Sequence, residues 1–94
     1  MNEVKMHRVY KLYDIFNDFN RLSILIQLYN EELSIDEISE RTNIKNIVIF
    51  HQLEYLISKK VVSKKEIDEI EKYEISDKTL SKLIGKMITY VTKN

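Results

Sequence analysis

At 94 residues the chain is expected to form one domain spanning residues 1–94, and a chain this short leaves so much surface exposed that a second copy would help cover its apolar faces. It has no cysteine, which excludes a disulfide framework and a thiolate metal site, and one glycine with no proline, which excludes a glycine-rich phosphate loop. Fifteen basic and fifteen acidic side chains give zero formal net charge, which argues against an indiscriminate polyanion binder but not against a DNA reader with its basic groups on one face.

The first predicted helix runs from about Glu3 to Asp18. Met6, Tyr10 and Tyr13 fall at i, i+4 and i+7, and Val9, Leu12 and Phe16 at i, i+3 and i+7 on a neighbouring face. Apolar groups therefore cover a wider arc than one contact needs, which predicts a core on one side and a partner subunit on the other. Lys5, His7, Arg8 and Lys11 make up the polar remainder, and His7 reads as a solvated surface residue. The opening MNEVKMHRVY lacks the basic-then-apolar order of a secretory signal, and no apolar run approaches membrane length, so a cytoplasmic, non-membrane protein is expected.

Asn17-Asp18-Phe19-Asn20 breaks the pattern with two candidate caps. Asn20 then opens NRLSILIQLYN, nearly all apolar apart from Arg21, Ser23 and Gln27, which predicts a helix at the centre of the core. Asn30-Glu31-Glu32 ends it. Ser34 and Glu37 have capping-box spacing, and Ile35 and Ile38 give a short helix its apolar face. Thr42-Asn43 is a turn, after which Ile49, Leu53 and Leu56 form one buried stripe of a longer helix. Two helices joined by a tight turn make a helix-turn-helix, whose second helix usually enters a DNA major groove.

Val61-Val62 follows as an apolar exit from that helix. Val61–Lys65 and Lys72–Ile75 read as two antiparallel strands, the wing of a winged helix. A helix over the same ground is the competing reading, because Ser63 and Glu66 also have capping-box spacing and Ile67 and Ile70 could share a face. Ser76 or Asp77 caps a last helix in which Leu80, Leu83, Ile84, Met87, Ile88 and Val91 recur at intervals of three and four, with Lys78, Lys82 and Lys86 outside. Together with the two-faced first helix, this predicts a homodimer with the terminal helices at the seam, through Met6, Tyr10, Tyr13, Leu80, Leu83, Ile84, Met87, Ile88 and Val91. The competing reading is that both helices only complete the core of one chain.

The order of elements, mainly α with a small β-hairpin, resembles that of the ArsR/SmtB family of winged-helix repressors. Asn20-Arg21-Leu22-Ser23-Ile24-Leu25 resembles the family's T-R-L-R-I-L segment, and Glu32 to Ile38 its E-L-C-V-C-E-L segment. Asn43 to Val62 is similar to G-L-S-x-x-x-V-S-x-H-L-x-x-L-x-x-x-G-L-V, with Ile44, Ile49, Leu53, Leu56, Val61 and Val62 on the apolar positions. The family's metal-sensing cysteines would fall at Ser34 and Asp36, which offer no thiolate, and the last helix has no histidine. No metal and no cofactor are therefore expected. Lys60 stands where the family has a glycine that ends the recognition helix, so a different cap is expected there.

The resemblance implies a DNA-binding surface made of Asn43, Lys45, Asn46, Ile47, Phe50 and His51, with Lys59, Lys60, Lys64 and Lys65 as a basic strip on the backbone side. Asn46 suits adenine, and Lys45 a phosphate or guanine. Ile47 and Phe50 are unusual in such positions; thymine methyls, a second subunit and the core are the three places open to them. The proposed wing tip, Glu66 to Glu69, is acidic and opposes close approach to phosphates. A homodimeric repressor on double-stranded DNA leads the functional readings. The same fold also resembles the centromere-binding adaptors of type III partition systems, whose partner is a tubulin-like GTPase. A winged helix used only for protein contacts is the third reading. Catalysis is not expected, since His7 and His51 lie on different predicted helices and no nucleophile–base set converges.

Overall fold

The computed structural model describes residues 3–93. Its elements run α1 (Glu3–Phe16), α2 (Phe19–Leu28), α3 (Ile35–Thr42), α4 (Asn46–Ser58), β1 (Val62–Ile67), β2 (Ile70–Ile75) and α5 (Lys78–Thr92). Each boundary has a local cause. Asp18 caps α2 by accepting from the Arg21 N–H at 2.9 Å, and Asp77 caps α5 by accepting from the Leu80 N–H at 3.0 Å. At α3 the capping box is complete: the Glu37 N–H donates to Ser34 Oγ, and the Ser34 N–H donates back to the Glu37 carboxylate. Asn43 then leaves α3 in the left-handed conformation that asparagine tolerates.

The core is a single apolar cluster. It takes Ile24, Leu25 and Leu28 from α2, Ile38 from α3, and Ile49, Leu53 and Leu56 from α4. Val61, Val62 and Tyr73 close it on the hairpin side, and Leu80 and Ile84 on the α5 side. Leu80 and Ile84 therefore belong to the chain's own core and are not surface for a partner, a correction to the expected seam. The single glycine, Gly85, lets α5 approach α2; a Cβ there would meet Tyr29 Oη at 2.5 Å.

The segment after α4 is a hairpin and not a helix. β1 and β2 pair antiparallel from Val62–Ile75 out to Ile67–Ile70, longer than the two predicted strands. Asp68 and Glu69 make the turn, both at positive φ, as a two-residue hairpin loop of the favoured hand requires. The physical reason is burial. In this register Val62 and Tyr73 both reach the core, whereas a helix would have offered only Ile67 and Ile70, which stay exposed here. Leu33 adds an unforeseen rung: its N–H and C=O both bond to Tyr73, at 3.0 and 2.8 Å, fastening the hairpin to the entrance of α3.

Lys60 also differs from expectation. It adopts φ 62°, its N–H donates to Ile57 O, and the Val61 N–H donates to Leu56 O. That is the usual left-handed helix stop, made with lysine where glycine would be unstrained. At the other end of the fold, α1 is anchored mainly by its last turn. Ile15 is its one core residue among those described, and Phe16 packs beside it. Arg21 fastens that turn, donating to the carbonyls of Asp14 and Ile15 and to Gln52 while lying 4.2 Å over the Tyr55 ring. The Asp14 carboxylate accepts from the Tyr55 hydroxyl, and this bond, with burial second, raises the Tyr55 pKa. Among the described residues no helix is long and apolar enough to cross a membrane.

Candidate nucleic-acid interface

The turn at Asn43 and the N-terminus of α4 bring the expected reading residues to one end of the molecule. Lys45 is the N-cap of α4 but makes no side-chain cap bond, so its chain is not held by the helix. The Asn46 amide donates to Asp36 Oδ1 at 2.8 Å, which orients it across the front of α3. Ile47 is 60 % exposed and Phe50 40 %, so the core reading of these two residues is excluded. His51 meets the Phe50 ring edge-on at a centroid distance of 5.5 Å. Asn43, Lys45, Asn46, Ile47, Phe50 and His51 are all exposed on this one segment.

The four other lysines do not form one strip. Lys59 and Lys60 follow the far end of α4, about 21 Å from Lys45 at 1.5 Å per residue. Lys59 lies 5.5 Å from the Tyr55 ring and shares a shallow depression with His7, Tyr10, Lys11 and Asp14 of α1. Lys64 and Lys65 are neighbours in β1, so their side chains leave opposite faces of the hairpin. Each already has carboxylates: Lys64 is 3.7 Å from Glu71, and Lys65 pairs with Glu32 and, at 3.4 Å, with Glu74. These pairings were not visible in the sequence, because they depend on the hairpin register.

A groove of about 640 Å³ runs between the N-terminal half of α4, the start of α3 and the wing. Ile35, Ile47, Phe50 and Ile70 supply apolar lining, and Asp36, Glu69 and Glu71 are the charged residues along it. The wing is held against α3 by Lys72, whose ammonium binds the Glu37 carboxylate. That hydrogen bond, then the Ser34 N–H, holds the Glu37 pKa down at about 2. Electrostatically this half of the molecule is acidic: residues 31–77 hold twelve carboxylates and seven basic groups.

Helix-turn-helix, antiparallel wing and flanking helices together define the winged-helix fold, and comparison with solved structures agrees. The transcriptional regulator HlyU from Vibrio vulnificus CMCP6 superposes with a TM-score of 0.87 at 19 % identity, over 94 % of this chain and 92 % of that one. The AntR antimony-specific transcriptional repressor gives 0.84 at 15 %, over 98 % and 84 %. The transcriptional repressor BigR from Xylella fastidiosa gives 0.84 at 19 %, over 94 % and 87 %. No protein-family model matches the sequence, and no curated protein matches it significantly. The winged-helix fold expected from the sequence is thus matched by these structures.

Proposed function

We propose that the chain is a sequence-specific reader of double-stranded DNA, acting as a homodimeric transcriptional repressor that lacks the thiolate metal sensor. One observation carries the reading. In a winged-helix frame, the half of α4 that such proteins place in the major groove leaves Lys45, Asn46, Ile47, Phe50 and His51 uncovered by the rest of the chain. Asn46 can read adenine, and the exposed apolar pair suits thymine methyls, which together favour A·T-rich sites. The solved structures of the same fold include transcriptional repressors, which supports the regulatory role. Repression follows from occupancy: a dimer seated on a pseudo-palindrome excludes the transcription machinery.

The exposure of Ile47 and Phe50 also favours a second reading. In an adaptor for partition by a tubulin-like GTPase, two recognition helices would cover these residues mutually and enter the groove as a unit. Selection of bound fragments from random and host-genome DNA tests both readings. One short palindrome is the result expected for a repressor, and clustered direct repeats for partition. No retained fragment at low salt would overturn the DNA reading and leave a winged helix serving protein contacts.

A further inference from the structure

The groove between α4 and the wing is built for something other than a phosphate backbone. Its apolar lining is open to solvent, with Ile47 60 % and Ile70 52 % exposed, and none of the described residues covers it. None of the described residues lining it is basic. Three carboxylates line it instead. Among the described residues Asp36 meets only the neutral amide of Asn46, Glu71 accepts from the Tyr73 hydroxyl at 3.4 Å with Lys64 at 3.7 Å, and Glu69 has no ion pair. A phosphate entering here meets like charge from three carboxylates, while the Lys64 ammonium beside Glu71 is already paired with it. An apolar body carrying a positive charge meets complementary groups on both counts. The volume, about 640 Å³, lies within the range that drug-sized molecules fill.

We propose that this groove is a binding site for a lipophilic organic cation, and that its occupation excludes DNA from α4. The apolar part of the ligand lies against Ile47, Phe50 and Ile70, and its positive charge faces Glu69, Glu71 and Asp36. Exclusion follows because Asn46, Ile47 and Phe50 line the groove and also belong to the DNA-reading surface. The second half of the proposal rests on the DNA reading; the first half does not. The device is a chemical sensor at the reading head itself, with no relay through the fold.

Tetraphenylphosphonium and tetraphenylborate test the site, being nearly the same size and shape with opposite charge. Titration of the isotopically labelled full chain, free of DNA, should show the phosphonium shifting backbone signals of Asp36, Ile47, Phe50, Glu69 and Ile70. The borate should bind there at least tenfold more weakly. Ile70→Ser and the double variant Glu69→Gln, Glu71→Gln, each checked for a wild-type spectrum elsewhere, should weaken the phosphonium by fivefold or more. Equal binding of both ions, or shifts confined to α1 and α5, would overturn the site. Where a bound DNA fragment has been selected, saturating phosphonium should raise its apparent Kd tenfold or more. Phosphonium binding in the groove with DNA affinity unchanged would overturn the exclusion alone. Groove binding by a chain that retains no DNA would sink the DNA reading and leave the ligand site standing.

Discussion

Lys60 shows a single residue working against its intrinsic preference. A β-carbon makes the left-handed conformation costly by roughly 1–2 kcal/mol, and glycine avoids that cost. Lys60 is exposed and makes no side-chain bond among the described residues, so nothing local offsets the strain. Lys60→Gly is therefore expected to stabilise the chain by about 1 kcal/mol, read as a higher urea midpoint with unchanged slope. If Lys60 also contacts a DNA phosphate, the same variant weakens DNA binding uniformly across sequences while the fold gains. A lower urea midpoint would mean that the lysine supplies an interaction absent from this fold. Arg21 teaches the opposite lesson. In sequence it is one polar interruption of an apolar helix, yet it gathers the end of α1, Gln52 and the Tyr55 ring into one contact. No spacing rule reveals that, because its partners come from two other elements, α1 and α4.

At the scale of elements, what was legible was whatever the chain fixes locally. The capping box at Ser34, the Asp77 cap and the buried stripe Ile49, Leu53, Leu56 all follow from spacings of three and four. The hairpin could be chosen over a helix only by its place in the chain, since Ser63 and Glu66 suit a helix equally well; burial of Val62 and Tyr73 decides it. The reading helix was legible, but the groove beside it was not, because Asp36 and Glu69 meet only once the wing has folded over α3. The wing is also weakly built at its tip. Asp68 and Glu69 occupy turn positions that favour asparagine and glycine, so Asp68→Asn with Glu69→Gly should raise stability by about 1 kcal/mol, seen as slower amide exchange across β1 and β2. At its base, the Glu37–Lys72 contact makes the wing's attachment pH-dependent. The Glu37 pKa is lowered in the fold, to about 2 from the ordinary 4.5, so its contribution is fully present above about pH 4.5. It is lost as the pH falls through 2. Melting temperatures of the wild type and Glu37→Gln should differ at pH 6 and converge near pH 2. A gap that persists at pH 2 would assign the effect to something other than the charge.

For the whole molecule the question is what the terminal helices are for. A compact chain of this length has a radius of gyration of about 12 Å, and this one has 13.8 Å with extents of 46 × 34 × 21 Å. The excess reflects α1, which leaves Met6, Val9, Tyr10, Leu12 and Tyr13 exposed, while α5 leaves Leu83, Tyr90 and Val91 exposed. Among the described residues of α1 only Ile15 and Phe16 pack on the core, so the core side of the expected two-faced helix is confined to its last turn. So much apolar surface on two helices is more than scattered exposure accounts for. The proposed dimer through α1 and α5 would cover what the single chain leaves open, and would present two α4 helices to one duplex. Wild-type protein at tens of micromolar should sediment as a dimer. Tyr10→Glu, on a residue 66 % exposed in the single chain, should shift it to monomer with its helical spectrum intact. DNA affinity should fall together with dimerisation, by a hundredfold or more, because a monomer loses the second half-site. A wild type that sediments as a monomer would remove the seam, and with it the palindromic operator.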